Sequence, residues 1–461
     1  MVLKQMEAPV QTRESAMVTP RISVIGLGKL GSPLAAVLAS AGYRVVGVDV
    51  DKQRTDAINA GRAPVEEPGL AALIADHAEK LSAVSDVAEA VRETDLTFII
   101  VPTPSGADGA FSSRFVLECG RGIARGLADK DRYHLVVLTS TVMPGTTENE
   151  LLPLLQRGAG KECGPDFGLC YNPEFIAIGD VVGGMLRPDF VLIGEEGPRA
   201  GDMLKELYEH VCENDPPIER MSFVNAEVAK IAVNTFVTMK ISYANMLGEI
   251  CERLPGGDAD AVTRALGRDS RIGGKYLKSA LGYGGPCFPR DTVAFSVMAE
   301  RAGVEPTLAH AADTVNERQV TAIMRRIRSL MGPDGKVGIL GLSYRPNTAL
   351  VEESQSLEIA AVLAEEGVDV TVYDPEAMPA GRKLLGSQVS FAESAAACAQ
   401  CVDLLVVATP WPEFENAAAW TVEGRPRVIL DCWGIVTPPA EGGGPTIERV
   451  GRNSDDIGHQ G

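Results

Sequence analysis

Arg21-Ile22-Ser23-Val24-Ile25-Gly26-Leu27-Gly28-Lys29-Leu30-Gly31 passes from a short apolar run into a glycine-rich turn and then into a helical pattern beginning near Ser32. A strand before and a helix after are what make G-x-G-x-x-G informative. The first glycine permits the tight turn, and the second lets the backbone approach a pyrophosphate. The third lets helix pack closely on strand, with the helix N-terminus facing the phosphates. The next apolar run, Val45-Val46-Gly47-Val48, ends in Asp49. A carboxylate there accepts both ribose hydroxyls of NAD and repels the extra phosphate of NADP. Gly26, Gly28, Lys29, Leu30, Gly31 and Asp49 are therefore the expected cofactor-binding residues, against the alternative of a glycine turn with no ligand.

Further apolar runs at Leu96-Thr97-Phe98-Ile99-Ile100-Val101 and Leu135-Val136-Val137-Leu138 alternate with helical patterns. That alternation predicts a parallel sheet with helices on both faces, an α/β domain over residues 21–215. The pattern changes from Asn225 to about Leu254, a proline-free helical stretch long for a globular helix, stopped by Pro255-Gly256-Gly257. Such a helix bridges domains or packs on a partner subunit, and residues 216–325 are expected to form a helical dimerisation domain. A second strand-to-glycine turn follows at Lys336-Val337-Gly338-Ile339-Leu340-Gly341. Runs near Val368, Leu404 and Val428 complete a second, smaller parallel sheet over 326–440. The second turn lacks the third glycine, so a ligand other than a second NAD is expected there. Residues 1–20 read as a flexible arm and 441–461 as a mobile tail rich in Gly, Pro and charge.

Composition sets the limits around this plan. A chain of 461 residues with 45% apolar content suits roughly three soluble domains. Its net charge of −19 argues against nucleic acid or an anionic membrane as a partner. Nine cysteines without framework spacing, and no signal peptide or spanning segment, point to a reducing cytoplasm. Cys398 and Cys401 form a C-x-x-C pair with no second pair or matched histidines, and read as incidental. The five histidines cluster nowhere, so no metal site is expected.

Several segments carry chemistry-capable groups. Gly282-Tyr283-Gly284-Gly285-Pro286-Cys287-Phe288-Pro289-Arg290-Asp291 places a thiol in a Gly/Pro loop, with a carboxylate four residues on. Such a thiol can attack a carbonyl carbon while the carboxylate moves protons. Read alone, the segment fits equally a small core cysteine beside a turn. Ser140-Thr141-Val142-Met143-Pro144-Gly145-Thr146-Thr147 offers hydroxyls at the C-terminal edge of a sheet, where open α/β sheets bind ligands. Asn172-Pro173-Glu174-Phe175 places a carboxylate after another break. Lys230 and Asn234 share one face of the long helix, directed at something specific or at solvent.

In this order, from about Ile22 to Val436, these segments resemble the UDP-glucose/GDP-mannose dehydrogenase family of nucleotide-sugar 6-dehydrogenases. The resemblance also takes in Val101-Pro102-Thr103-Pro104, Glu227, Lys240-Ile241-Ser242 and Gly341-Leu342. Asp269-Ser270-Arg271-Ile272-Gly273 ahead of Tyr276-Leu277-Lys278 looks most like the UDP-glucose branch. The resemblance implies an NAD-dependent, four-electron oxidation of a sugar C6 hydroxymethyl to a carboxylate, UDP-glucose to UDP-glucuronate. Another UDP-hexose, such as a UDP-N-acetylhexosamine, and a non-catalytic dinucleotide-binding protein stand as alternatives. Pro102, Thr103, Ser140 and Thr141 would join the NAD site. Cys287 would be the covalent nucleophile, with Lys230 and Asn234 steadying a developing oxyanion. Asp291, Glu174 and Thr141 would handle protons and water. The substrate would meet Glu174, Phe175, Lys230, Asn234, Tyr276, Leu277, Lys278, Gly284, Tyr344 and Arg345, with Arg271 reaching a neighbouring subunit of a homodimer or higher homo-oligomer.

The chain departs from the family pattern at named places. Ile178 stands where a second glutamate is usual, Pro286 replaces serine, and Arg290 and Arg345 replace lysines. Glu352 occupies the place of a common arginine, and Asp431-Cys432-Trp433 replaces D-x-R.

Overall fold

Short apolar runs buried on both faces make parallel strands, and the centre of the first sheet is built from them. The computed structural model describes residues 20–176, 178–333, 335–439 and 443–453. Its first sheet holds β1 (Arg21–Ile25), β2 (Arg44–Val48), β3 (Leu81–Val84), β4 (Leu96–Ile99), β5 (His134–Leu138), β6 (Phe167–Tyr171), β7 (Val191–Glu195) and β8 (Ile218–Met221). Their order is β3-β2-β1-β4-β5-β6-β7-β8. The strands run parallel as far as β6; β7 pairs antiparallel to β6 and parallel to β8. The reversal of order between β1 and β4 opens a crevice at the strand C-termini, where such sheets take ligands.

The second sheet repeats the plan with β9 (Val337–Leu340), β10 (Val370–Tyr373), β11 (Ser390–Phe391), β12 (Leu404–Val407), β13 (Val428–Asp431) and β14 (Thr446–Arg449), ordered β11-β10-β9-β12-β13-β14. The likeness extends to single bonds. Gly26 (φ +98°) donates its N–H to Val48 at 2.7 Å, and Gly341 (φ +100°) donates to Tyr373 at 2.8 Å. Leu27 N–H donates to Asp49 Oδ2, and Leu342 N–H to Asp374 Oδ2, both at 2.8 Å. The two glycine turns are thus the same device, a loop after the first strand hung from a carboxylate after the second.

Between the sheets runs the helix Phe223–Arg253, 31 residues and about 46 Å long at 1.5 Å per residue. One face is buried by small and polar residues: Ser242 Oγ donates to Ala312 O at 2.7 Å, and Asn245 Oδ1 accepts from Ala280 N–H at 2.9 Å. The helix Thr307–Leu330 packs along it. Its other face leaves Phe236, Tyr243, Met246, Ile250 and Leu254 exposed.

The expected mobile tail is corrected in part. Within 441–461, residues 446–449 form the sixth strand of the second sheet, parallel to β13. Glu448 on that strand pairs with Arg326 at 2.8 Å. Gly451 N–H then donates to Glu252 Oε1 at 2.8 Å, and Gly451 O accepts from Ala259 N–H at 2.8 Å. A four-residue edge strand set among glycines carries too little pattern to be seen, yet it ties the second sheet to the end of the long helix. Residues 1–19 of the expected arm and 454–461 of the tail lie outside the described residues. Among the described residues no helix is long and apolar enough to cross a membrane.

Candidate active site

The glycine turn is shaped for a dinucleotide. A Cβ on Gly26 would stand 2.4 Å from Ile100 O, and one on Gly31 1.7 Å from Gly26 O, so both positions exclude a side chain. A Cβ on Gly28 would meet only Arg54 Nη1, at 3.9 Å. The middle glycine therefore faces open space at the start of the helix Gly31–Ser40, the place a pyrophosphate would take. Asp49, 8% exposed, also accepts from Asp51 N–H at 2.8 Å and faces Arg54 Nη1 at 3.2 Å. Arg54 was not singled out from sequence; its only signal is the spacing of five residues after Asp49.

In the second domain the matching Asp374 is fully buried and spent on the backbone. It accepts from Leu342 and Ser343 N–H and Ser343 Oγ through Oδ2, and from Glu376 and Ala377 N–H through Oδ1. No lone pair is left facing a ribose, which agrees with a different ligand for this domain.

The ends of β4 and β5 are locked together. Ser140 Oγ bridges the N–H and O of Val101 at 2.9 and 2.8 Å, and Thr103 Oγ1 donates to Thr141 O at 2.7 Å. Opposite them the long helix brings up its two polar residues. Lys230, 5% exposed, donates to Glu174 O at 2.5 Å; its Nζ lies 3.9 Å from Glu174 Oε1 and 5.0 Å from the centre of the Phe175 ring. Asn234 Nδ2 donates to Asp291 Oδ2 at 2.6 Å. Lys230 and Asn234 thus point inward, not to solvent.

Asp291 is 1% exposed, and its Oδ1 has no hydrogen-bond partner. Burial raises its carboxyl above the usual range, while Lys230 and then Arg290 pull it back. Cys287 immediately precedes the helix Phe288–Arg301, and its carbonyl accepts from Asp291 N–H at 2.8 Å. The residue is exposed, so the desolvation it suffers is that of a groove wall rather than a core. That desolvation, then the Asp291 charge, push the thiol up to about 11, against the pull of Lys230 and Arg290. The helix N-terminus beside it favours the thiolate.

The loop carrying the thiol is wedged into the second domain. Gly285 (φ +80°) donates to Glu352 O at 3.0 Å, and a Cβ there would strike the Tyr344 ring at 2.5 Å. A Cβ on Gly284 would lie 2.0 Å from Glu353 O. Arg290 reaches the first domain, donating to Thr103 O at 3.3 Å with its guanidinium over Phe111. A cavity of about 570 Å³ opens here, bordered by Glu174, Phe175, Asn234, Tyr276, Phe288 and Arg345.

Leu277 and Lys278, expected at the substrate, do not border this cavity. Lys278 is held by Asp260 at 3.0 Å, outside this cavity. The Arg271 side chain is 85% exposed and paired with Asp269 at 2.6 Å. Leu277 is buried beside them. Glu227, legible in sequence only as part of a motif, accepts from the N–H groups of Gly145 and Thr147.

Fold and site together define an NAD-dependent dehydrogenase with two Rossmann sheets and a cysteine next to Phe288 on the cavity border. Residues 20–212 match the NAD binding domain of the UDP-glucose/GDP-mannose dehydrogenase family, residues 224–318 its central domain and residues 338–438 its UDP binding domain. The chain belongs to that family, whose members are NAD-dependent nucleotide-sugar 6-dehydrogenases. It is 37% identical over 420 residues to the UDP-glucose 6-dehydrogenase AglM of Haloferax volcanii, covering 90% of this chain and 97% of that protein. The Bacillus subtilis UDP-glucose 6-dehydrogenase TuaD is 32% identical over 417 residues, 89% of this chain and 88% of that one. The solved UDP-glucose dehydrogenase of Pyrobaculum islandicum superposes with a TM-score of 0.82 at 37% identity, over 93% of this chain and 96% of that one.

Proposed function

We propose that this enzyme oxidises the C6 hydroxymethyl of UDP-glucose to the carboxylate of UDP-glucuronate, with Cys287 as covalent nucleophile. The observation that carries the reading is the convergence of Lys230, Asn234 and Asp291 on the helix that starts at Cys287. A UDP-glucose substrate is supported by the relatives named above. NAD, bound by Gly26, Gly28, Lys29, Leu30, Gly31, Asp49, Pro102, Thr103, Ser140 and Thr141, would accept one hydride per molecule, a second NAD replacing the first NADH for the second oxidation.

The chain's own residues then divide the remaining work. Asp291, whose buried Oδ1 accepts no hydrogen bond and faces Arg290 Nε at 3.6 Å, has a raised carboxyl and takes the alcohol proton as the aldehyde forms. The Cys287 sulfur bonds to the aldehyde carbon, and its proton passes to the carbonyl oxygen, giving a thiohemiacetal. Its oxidation leaves a thioester, which water cleaves to the acid and the free thiol. Lys230 has three N–H donors and Asn234 two. Each commits one to Glu174 O or Asp291 and keeps the others for the oxyanion of each tetrahedral species. Thr141 and Glu174 position the water. Tyr276, Phe288, Tyr344, Arg345 and Gly284 shape the sugar-nucleotide cleft.

The changes at Ile178 and Glu352 favour a second reading, a UDP-N-acetylhexosamine as substrate. A panel of UDP-sugars compared by kcat/KM decides between them. UDP-glucose is expected to lead by at least roughly tenfold, more than a cavity alone gains from one small group. A UDP-N-acetylhexosamine in first place would replace it.

The exposed apolar stripe of the long helix supports a homodimer, in which Arg271 would reach the neighbouring cleft. Phe236→Glu is expected to shift the chain from dimer to monomer in light scattering, and an unchanged mass would remove this face from the interface.

A further inference from the structure

Glu227 is fully buried on the long helix, one turn before Lys230, and the chemistry above does not use it. All its bonds go to one loop. Oε2 accepts from Gly145 N–H at 2.6 Å; Oε1 accepts from Thr147 N–H at 2.8 Å and Thr147 Oγ1 at 2.6 Å. The loop needs such an anchor, since Gly145 turns with φ +93° and a Cβ there would meet Asn149 Nδ2 at 2.8 Å. Its other end is tied where Thr103 Oγ1 donates to Thr141 O. Thr141 is the residue held at that second tie, and its own hydroxyl takes no protein partner among the described residues.

We propose that Glu227 is a positioning residue for the water-dependent last step. Seated on the helix that carries Lys230 and Asn234, it fixes how far the Thr141 loop stands from the oxyanion donors. Water held by Thr141 then meets the thioester carbon while Lys230 and Asn234 hold its oxygen. In that step the water oxygen bonds to the carbon and the carbon–sulfur bond breaks. One water proton passes through a carboxylate to the leaving sulfur, so acid and free thiol result. The inference rests on the Cys287 thioester reading.

Glu227→Gln keeps the shape but sets an NH2 group against N–H donors on the loop, loosening it without emptying the site. The full-length variant is mixed with UDP-glucose and NAD, quenched in acid and weighed intact. The two NADH of the first turnover are expected at near the wild-type rate, followed by a steady state slower by roughly 30–100-fold, the scale of a small misplacement. The chain should gain the mass of a UDP-hexuronyl group, which the wild type does not accumulate. KM should change little. Thr147→Val, which removes one of the three bonds, should show the same adduct at a lower level and covers the case in which Glu227→Gln does not fold. Slow turnover with no adduct in either variant, or an unchanged steady state, would overturn the proposal. If the thioester reading itself is at fault, the wild type already shows it, by releasing one NADH per sugar.

Discussion

Cys287→Ala is expected to lose carboxylate formation by roughly 10⁴-fold or more, the scale seen when a covalent nucleophile is deleted, while UDP-glucose still binds. The sulfur is the only group at the start of this helix able to bond the aldehyde carbon. Without that bond the second oxidation lacks its thiohemiacetal. The substitution sits on an exposed wall of the cleft rather than in a core, so little stability should be lost and the melting temperature should stay close to that of the parent. Cys287→Ser separates chemistry from shape, because it keeps the size and can still bond the carbonyl. It should stall after forming a bound intermediate, which intact mass after acid quench reveals. Full carboxylate yield from either variant would remove the cysteine from the mechanism.

Lys230→Met should lower kcat by roughly 10²–10³-fold, the range for removal of one preorganised oxyanion donor. The methionine nearly fills the same volume, but it leaves Glu174 O without its donor and the buried Asp291 without its neighbouring cation, so the melting temperature should fall as well. The electrostatic role is therefore read from kcat measured well below that melting temperature. The sign of the pH effect is a second readout. Lys230 is the largest influence holding down the raised Asp291 carboxyl, and it also pulls down the Cys287 thiol. Without it both groups titrate at higher pH. Asp291 then stays protonated, and unable to act as base, to a higher pH, so the acidic limb of the rate profile moves upward. An acidic limb that stays in place would show that Lys230 and Asp291 are not coupled during turnover.

Both nucleotide sheets were legible because their strands are short apolar runs that end at glycine, a local signal. Asp49 could be placed at the end of the second strand for the same reason, and there it also holds the glycine turn through Leu27 N–H. The edge strand Thr446–Arg449 was not, because its burial comes from β13 and Arg326, which lie far away in sequence. Lys230 and Asn234 could be placed on one helix face, but spacing alone favoured a solvated stripe. Glu174, 56 residues before Lys230, and Asp291, 57 residues after Asn234, turn that face inward. The role of Asp374 was hidden in another way. Its position repeats that of Asp49, and only the backbone donors gathered around it reveal that it carries no ligand-facing charge.

The yield of NADH from a limiting amount of UDP-glucose, with NAD in excess, tests the four-electron reaction through Cys287 most directly. Two NADH per sugar consumed, with UDP-glucuronate as the product and no free aldehyde, is the predicted result. One NADH per sugar, with the aldehyde released, would contradict it.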